Sequence, residues 1–498
     1  MFYDCGTDFV LCFMYEHSNF RIMKKRILFL ISLFAVTALY GDTLTLRLPQ
    51  AIAMACERSY DARSARHTFL AAEWSYKFYK ANYLPSVSLS STPSLNRVIS
   101  KITQPDGTAS FVEQNQLSSD VALSITQNVA LTGGQFFLKS SLQRQDELSN
   151  RSTAYNSQPV VIGYQQSLFG YNSLKWERRL EPLRFEAAQK NYTENMELIA
   201  ARACSYFFSL ASAQTELFIA QYNYASADTL SRYARGRYGI GTITESEMLQ
   251  LELNKITAEA NVLSAQSNLE NAMTTLRSYL AIDKGTTVTV ESDSQLPSCK
   301  ADVATAIALA RAHSPEPVSY ELRRRESRSN LAQAKANAGL KADLYIQLGL
   351  SQTADNLADS YRSPQNMQYA GIGVSLPLLD WGRGRGRVRI AESNAELVEI
   401  EIERAETDFE INVARTVGQF NLQAHRVEIA EKSAALAQQR YEVARHMYIM
   451  GKATILDLNA ATTEKDAAQR GRINALSNFW NLYYGLRSMT GGKIFENK

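Results

Sequence analysis

Tyr448-Ile-Met-Gly451-Lys452-Ala-Thr454-Ile-Leu-Asp457 interrupts a long helical pattern, and the chain carries the interruption twice. The other copy is Tyr238-Gly-Ile-Gly241-Thr-Ile-Thr244-Glu-Ser-Glu247, 210 residues upstream. A glycine has no Cβ and takes the left-handed conformation that ends a helix. The threonine three residues on is an N-cap, and the acid three beyond it completes a capping box. Each stretch therefore reads as the tip of a helical hairpin.

The same offset holds outside the tips. Ala265-x-Ser267-Asn268-x-x-Asn271 recurs as Ala475-x-Ser477-Asn478-x-x-Asn481, and Leu276-Arg277-Ser278 as Leu486-Arg487-Ser488. Gly163 and Leu168 fall on Gly373 and Leu378, so residues 163–280 repeat at 373–490. This is an internal duplication, which decides the fold before any single element does.

Composition is that of an ordinary folded chain: 498 residues, 45% apolar, net charge +3. Near-neutral charge gives no reason to expect nucleic acid as a partner. The cysteines at 5, 12, 56, 204 and 299 lack CxxC spacing, and the five histidines are equally scattered, so neither a metal site nor a disulfide framework is indicated, and no cofactor is expected. Lys24-Lys25-Arg26, the apolar run Ile27 to Val36 and the small residues Ala38 and Gly41 read as a secretory signal. Met23 directly before the lysines makes residues 1–22 a misassigned extension, and no cysteine at the cleavage zone suggests a lipid anchor. The apolar run is too short to span a bilayer as a helix, so any membrane crossing falls to strands.

Leu44 to about Asn82 reads as helix, with Ala51-Ile-Ala-Met54-Ala answered by Ala306-Ile-Ala-Leu309-Ala. Tyr83-Leu-Pro85-Ser-Val87-Ser-Leu89-Ser alternates as a half-buried strand does, and Leu344-Tyr-Ile346-Gln-Leu348-Gly-Leu350 sits at the matching place. The offset there is 257 rather than 210, so the first half holds about 47 additional residues between 91 and 160. Val121 to Ile125, the Gly133-Gly134 turn and the alternation to Leu142 make this insertion an extra strand pair or a long loop. No proline follows Pro182 until Pro297, and none follows Pro377, which permits very long helices. From Arg383 to Tyr448 is room for roughly 100 Å of helix at 1.5 Å per residue. Leu397, Ala405, Phe409, Val413, Val417 and Phe420 form a narrow coiled-coil stripe along it.

The division that follows is 1–22 extension, 23–41 signal, and 42–280 first repeat, with helix 44–82, strands within 83–169 and hairpin helices 172–280. A linker at 281–303 leads to a second repeat at 304–490, with helix 304–340, strands 342–379 and hairpin helices 383–490, and a tail at 491–498. So few strands cannot close a pore-sized barrel alone, because barrel diameter grows with strand number, so several chains must contribute.

At this point the chain resembles the TolC family of outer-membrane efflux channels. The residues that carry the resemblance are Tyr83-Leu-Pro85 entering a strand, Leu376-Pro377-Leu378-Leu379-Asp380-x-Gly382 leaving one, and Tyr448-x-x-Gly451-x-x-Thr454-Ile-Leu-Asp457-Leu with Ala461-Thr462-Thr463 behind it. The resemblance covers essentially the whole mature chain. It implies a mainly α fold with membrane β: duplicated coiled-coil hairpins forming a periplasmic tunnel, and strands contributing to a trimeric outer-membrane β-barrel. Four strands per chain and twelve in the ring are implied. So are docking to a periplasmic adaptor and an inner-membrane transporter, export of small molecules or proteins through a tripartite pump or type I secretion system, and location in the outer membrane and periplasm.

By the same resemblance, Tyr448, Lys452, Asp457, Tyr238 and Glu247 are candidates for the pore constriction. The family's arginine falls on Ala453 and a second acid on Ala460, so its full charged lock is absent. Gly241, Thr244, Gly451 and Thr454 are candidates for adaptor docking, and Leu376, Pro377, Trp381 and Gly382 mark the barrel–tunnel junction. Read without the family, Asp457 and Glu247 are N3 capping acids that complement a helix dipole. Arg383, Arg385, Arg387 and Arg389 read as a solvated run in preference to one facing the periplasmic leaflet. A periplasmic adaptor would carry a single hairpin, and a structural coiled-coil envelope protein would lack the alternating strands. No convergent nucleophile, paired carboxylate or phosphate-binding glycine loop marks an enzyme.

Overall fold

The computed structural model describes residues 43–495, apart from 104, 106, 150, 292–295 and 298. The signal and extension readings lie outside the described residues. Contacts divide the chain into two units. One, here the tip unit, holds residues up to 63, 198–300 and 419–485; the other, the sheet unit, holds 64–197, 301–418 and 486 onward.

Four helices form the two hairpins: α3 (Ser173–Gly239) with α4 (Glu245–Tyr279), and α7 (Arg383–Ile449) with α8 (Ile455–Met489). The long member is 67 residues and the short one 35 in both pairs, so the duplication is kept to the residue. In α3 the interior Pro182 has no N–H to give the fourth residue back. Next to that gap, Arg325 Nη1 donates to the Arg179 carbonyl at 3.3 Å.

Two expectations for the tip unit change. Residues 44–47, read as the start of a helix, belong to strand β1 (Thr43–Arg47), which pairs in parallel with a strand at Thr287–Glu291 inside the expected linker. Thr-Leu-Thr-Leu and Thr-Val-Thr-Val alternate as strands do, and the β-branched residues favour that state. The helix proper starts at Leu48 as α1 (Leu48–Arg58), breaks at Ser59 and resumes as α2 (Tyr60–Ala81). The second repeat breaks likewise at Ser314-Pro315, between α5 (Val303–His313) and α6 (Glu316–Ala338).

The sheet unit is built on one antiparallel meander. Its strands are β2 (Ser86–Ser91), β3 (Ser94–Thr103), β4 (Ala109–Val129), β5 (Gly134–Glu147), β6 (Ser152–Ser167), β8 (Lys341–Ala354) and β9 (Gln365–Ser375), with the linker strand counted as β7. β2 and β3 are a single line. Ser91 pairs with Val121 and Ser94 with Ser118, so the register against β4 runs straight through the break at Thr92-Pro93. Proline lacks a ladder donor and is tolerated here because the line is at the sheet's edge. The order is therefore β2/β3, β4, β5, β6, β8, β9: six strand lines per chain. The implied count of four strand lines per chain is corrected to six: the insertion is a hairpin of full strands, β4–β5, inside the sheet. A second proline, Pro159, sits in central β6 where the register shifts against both neighbours, so a bulge absorbs it.

The sheet has two distinct faces. One carries Val87 and Leu89, then Val121, Leu123 and Ile125, then Phe136 and Leu138, then Val160 and Ile162, then Leu348, then Ile372 and Val374. All but Ile125 are well exposed. Along β4 the apolar positions run from Leu117 to Ile125, about 26 Å at 3.3 Å per residue. The other face is polar: Ser86 meets Thr126 at 2.6 Å, Ser88 meets Ser124 at 2.9 Å, and Gln165 donates to Gln135 at 2.8 Å. Every junction with a helix lies at one end of the sheet, because β2 and β8 start there and β6 and β9 finish there. Among the described helices, none is long and apolar enough to cross a membrane.

Candidate functional site: the matched helix tips and the strand–helix corner

The two tips are built alike from backbone upward. Gly241 and Gly451 have φ of +74° and +73°, the left-handed region. Gly241 N–H donates to the Tyr238 carbonyl and Thr242 N–H to the Arg237 carbonyl, both at 2.9 Å. Gly451 and Lys452 donate to Tyr448 and Met447 at 2.9 and 2.8 Å. This is a Schellman closure made twice. Then each capping box closes: Glu247 N–H donates to Thr244 Oγ1 at 3.2 Å while Thr244 N–H donates to Glu247 Oε2 at 3.0 Å. Asp457 N–H donates to Thr454 Oγ1 at 3.2 Å, and Thr454 returns its N–H at 3.1 Å and its hydroxyl at 2.7 Å to Asp457 Oδ2. These bonds hold the Asp457 carboxyl below the usual range, the Thr454 hydroxyl first among the causes. Each acid therefore spends one oxygen on its helix end, Glu247 Oε2 and Asp457 Oδ2.

The tyrosines part company. Tyr448 is 8% exposed, packed with Leu230, Ala234, Leu251, Tyr441, Leu458 and Ala461; Tyr238, its repeat partner, is exposed. Burial pushes the Tyr448 phenol up, with Arg237 pulling the other way and Glu247 reinforcing the rise. Arg237 also approaches Gly451, its Nη2 3.5 Å from where a Cβ would stand. A cation from the first hairpin thus sits at the second tip, while Lys452 is exposed. Arg237 escaped the sequence reading, though a basic residue in a last helical turn, next to a repeated tyrosine, is a readable sign.

Deeper in the tip unit is a second feature that spacing alone did not show. Lys465 of α8 is 2% exposed. Its ammonium lies 4.7 Å from the Tyr222 ring centroid and 4.4 Å from that of Tyr441, and donates to Asn223 Oδ1 at 2.8 Å. Asp466 Oδ1 is 3.1 Å away, close enough for an ion pair but poorly aligned for a hydrogen bond, and Asn223 serves the other oxygen, Oδ2, at 2.6 Å. Tyr441 and Ser226 share a hydroxyl bond of 2.9 Å. The cluster ties α3 to both α7 and α8, so it joins the two hairpins. Beside it, about 300 Å³ of space is lined by Asn254, Thr257, Asn261, Asn459, Thr462 and neighbours.

At the strand–helix corner of the sheet unit, Trp381 and Gly382 have φ of +55° and +83°. Asp380 accepts from Gly382 N–H at 2.9 Å and Gly384 N–H at 2.7 Å, which caps α7 and holds its carboxyl below the usual range, the Gly384 bond first. Leu376, Leu378, Leu379 and Trp381 are all exposed, Leu378 and Trp381 at 89% and 86%. A tryptophan there is of the kind that anchors a membrane–water boundary; on the sheet, Phe136 and Tyr164 pair their rings at 4.5 Å. No group of metal-ligating residues forms among the described residues.

Residues 306–492 match the family model described as outer membrane efflux protein. That match covers most of the second repeat. Solved structures of outer-membrane channels share the fold of nearly the whole chain. The Campylobacter jejuni CmeC outer membrane channel is 16% identical with a TM-score of 0.66, covering 91% of this chain and 87% of its own. The Vibrio cholerae outer membrane protein VceC is 16% identical with a TM-score of 0.63, covering 89% and 96%. The open-state Neisseria gonorrhoeae MtrE outer membrane channel is 15% identical with a TM-score of 0.58, covering 90% and 89%. A comparison with curated protein sequences finds no match. The efflux-protein match begins at Ala306 and ends past the second tip, so it spans α6, the strands β8 and β9, and the whole second hairpin.

Proposed function

We propose that this efflux-family chain is the outer-membrane exit duct of a tripartite efflux or type I secretion assembly. It would work as a homotrimer that receives cargo from an inner-membrane transporter through a periplasmic adaptor. The observation that carries this reading is the exposed apolar band across all six strand lines, with long polar helices joined to one end only. A face of that kind fits hydrocarbon, and backbone groups in hydrocarbon must close on strands or helices. The matched tips supply the other half of the role: an adaptor would grip Gly241, Thr244, Gly451 and Thr454, where the backbone turns without side-chain bulk. Tyr238, Arg237, Lys452, Asp457 and Glu247 would narrow the mouth, with Tyr448 packed behind them, the acids through charge left over after capping.

Planar-bilayer recording of the purified protein tests both parts. Discrete channels in the wild type are expected, with weaker cation preference in Asp457→Ala combined with Glu247→Ala. Channels unchanged by the double substitution would leave the duct and make both acids helix caps alone. Folded oligomer without conductance would sink the transport reading.

A further inference from the structure

We infer that three copies of this chain close a barrel of eighteen strands, with the β4–β5 hairpin as part of the lipid-facing wall. The inference rests on the trimeric duct reading above. Three observations carry it.

First, the hairpin is fully integrated. β4 pairs with β2/β3 on one side and β5 on the other, and β5 pairs onward with β6. Every line of the sheet has at least the roughly 9–11 residues that a tilted membrane strand needs, the shortest being β9 at 11. Val121, Leu123, Phe136 and Leu138 continue the apolar band set by the neighbouring strands, and Ser124, Thr126 and Lys139 continue the polar face.

Second, the direction of the chain survives the addition. The turn at 130–133 lies at the helix end of the sheet, and Asn172, at the entry to α3, donates to the Ala130 carbonyl at 3.3 Å. A short turn at the end that carries the helices is the pattern of outer-membrane barrels, and this one takes four residues between β4 and β5.

Third, the two free edges invite a copy. The half of the first edge nearest the helices, β2, carries no charge and no proline, with Pro93, Arg97 and Lys101 further out in the same line; β9 carries neither along its whole length and is mostly exposed. Natural edges left in that state pair with another chain, because charges and prolines are what blunt them. β2 leaves the helix end and β9 returns to it, so β9 of one copy beside β2 of the next is antiparallel, the ladder used everywhere else in the sheet. Three copies of six strand lines give eighteen. Diameter rises about linearly with strand number, so this wall is about one and a half times as wide as a twelve-stranded one and of the gauge that leaves an aqueous channel in porins. The wall then sets no size limit on small cargo.

Electron cryomicroscopy of the full-length oligomer in membrane-mimetic discs counts the wall directly. Eighteen strands around three subunits, with 109–147 in the wall, is the expected result. Three subunits with a twelve-stranded wall and the hairpin folded outside it would overturn the inference and leave the trimeric duct standing. A ring of any other subunit number would overturn both. Spin labels give a second reading in liposomes, with all five native cysteines replaced by serine. Labels at Leu123→Cys and Leu138→Cys are expected to meet oxygen and miss chelated nickel, with the reverse at Ser124→Cys and Lys139→Cys. Nickel access at all four positions would place the hairpin in water and overturn the proposal.

Discussion

Gly451 and Gly418 stand in the same hairpin and ask opposite things of a side chain. Gly451 turns at φ +73°, where a Cβ costs an L-residue about 1–2 kcal/mol. Gly418 lies within α7 with nothing within 4 Å of an added Cβ, and there alanine lowers the unfolded chain's freedom for about 0.5–1 kcal/mol of gain. Gly451→Ala should lower the thermal midpoint and Gly418→Ala should raise it, both readable by circular dichroism. Glu194 makes a second residue-scale case. Desolvation first, and then Glu316, raises its carboxyl to about 7. A carboxyl raised on folding holds its proton harder in the native state. Its favourable share is therefore full below the ordinary value near 4.5 and is lost as pH rises toward 7. Glu194→Gln should raise the melting temperature at pH 8 and change it little at pH 4; an equal gain at both would remove the charge from the explanation.

At the scale of elements, the Lys465 cluster is what joins the hairpins chemically. Removing one member of a buried pair leaves an uncompensated charge, at a cost of about 3–5 kcal/mol, whereas replacing the pair with groups of like shape is near neutral. Lys465→Ala should destabilise the tip unit by that order, and Lys465→Met combined with Asp466→Asn should recover most of it, measured by denaturant midpoint. The contrast with the tips explains what sequence reveals. A helix stop and a cap are local chemistry, so Gly451, Thr454 and Asp457 could be read from ten residues. Lys465 depends on Tyr222 and Tyr441, which are far away in the chain, and a lone lysine within Thr463-Glu464-Lys465-Asp466 looks like any solvated one. β1 and its partner failed for the same reason: five residues of Thr-Leu alternation pass for the start of a helix until a strand 244 positions on is seen beside them. Arg237 lay one residue from a motif that had been fully read.

For the whole molecule, the offsets of the duplication locate the insertion by themselves, because two of them, 257 and 210, differ by its length. Whether it formed wall or loop was hidden, since alternating segments in such barrels carry a weak signal each. A variant lacking residues 109–147, with β2/β3 joined to β6, should still deliver α3 to the helix end of the sheet and still assemble, with a narrower wall. A variant lacking β5 alone should not, because β6 would then run the wrong way. Heat-modifiable migration of the oligomer separates the two outcomes.

The unequal halves make the ring a record of parity. Strands enter such a wall only as out-and-back pairs, since any odd gain would send a 67-residue helix out on the wrong side of the membrane. Three-fold symmetry then multiplies each pair by three. The gauge of these ducts is therefore quantised, and the hairpin at 109–147 marks a chain that has moved up one step while its second half has stayed behind.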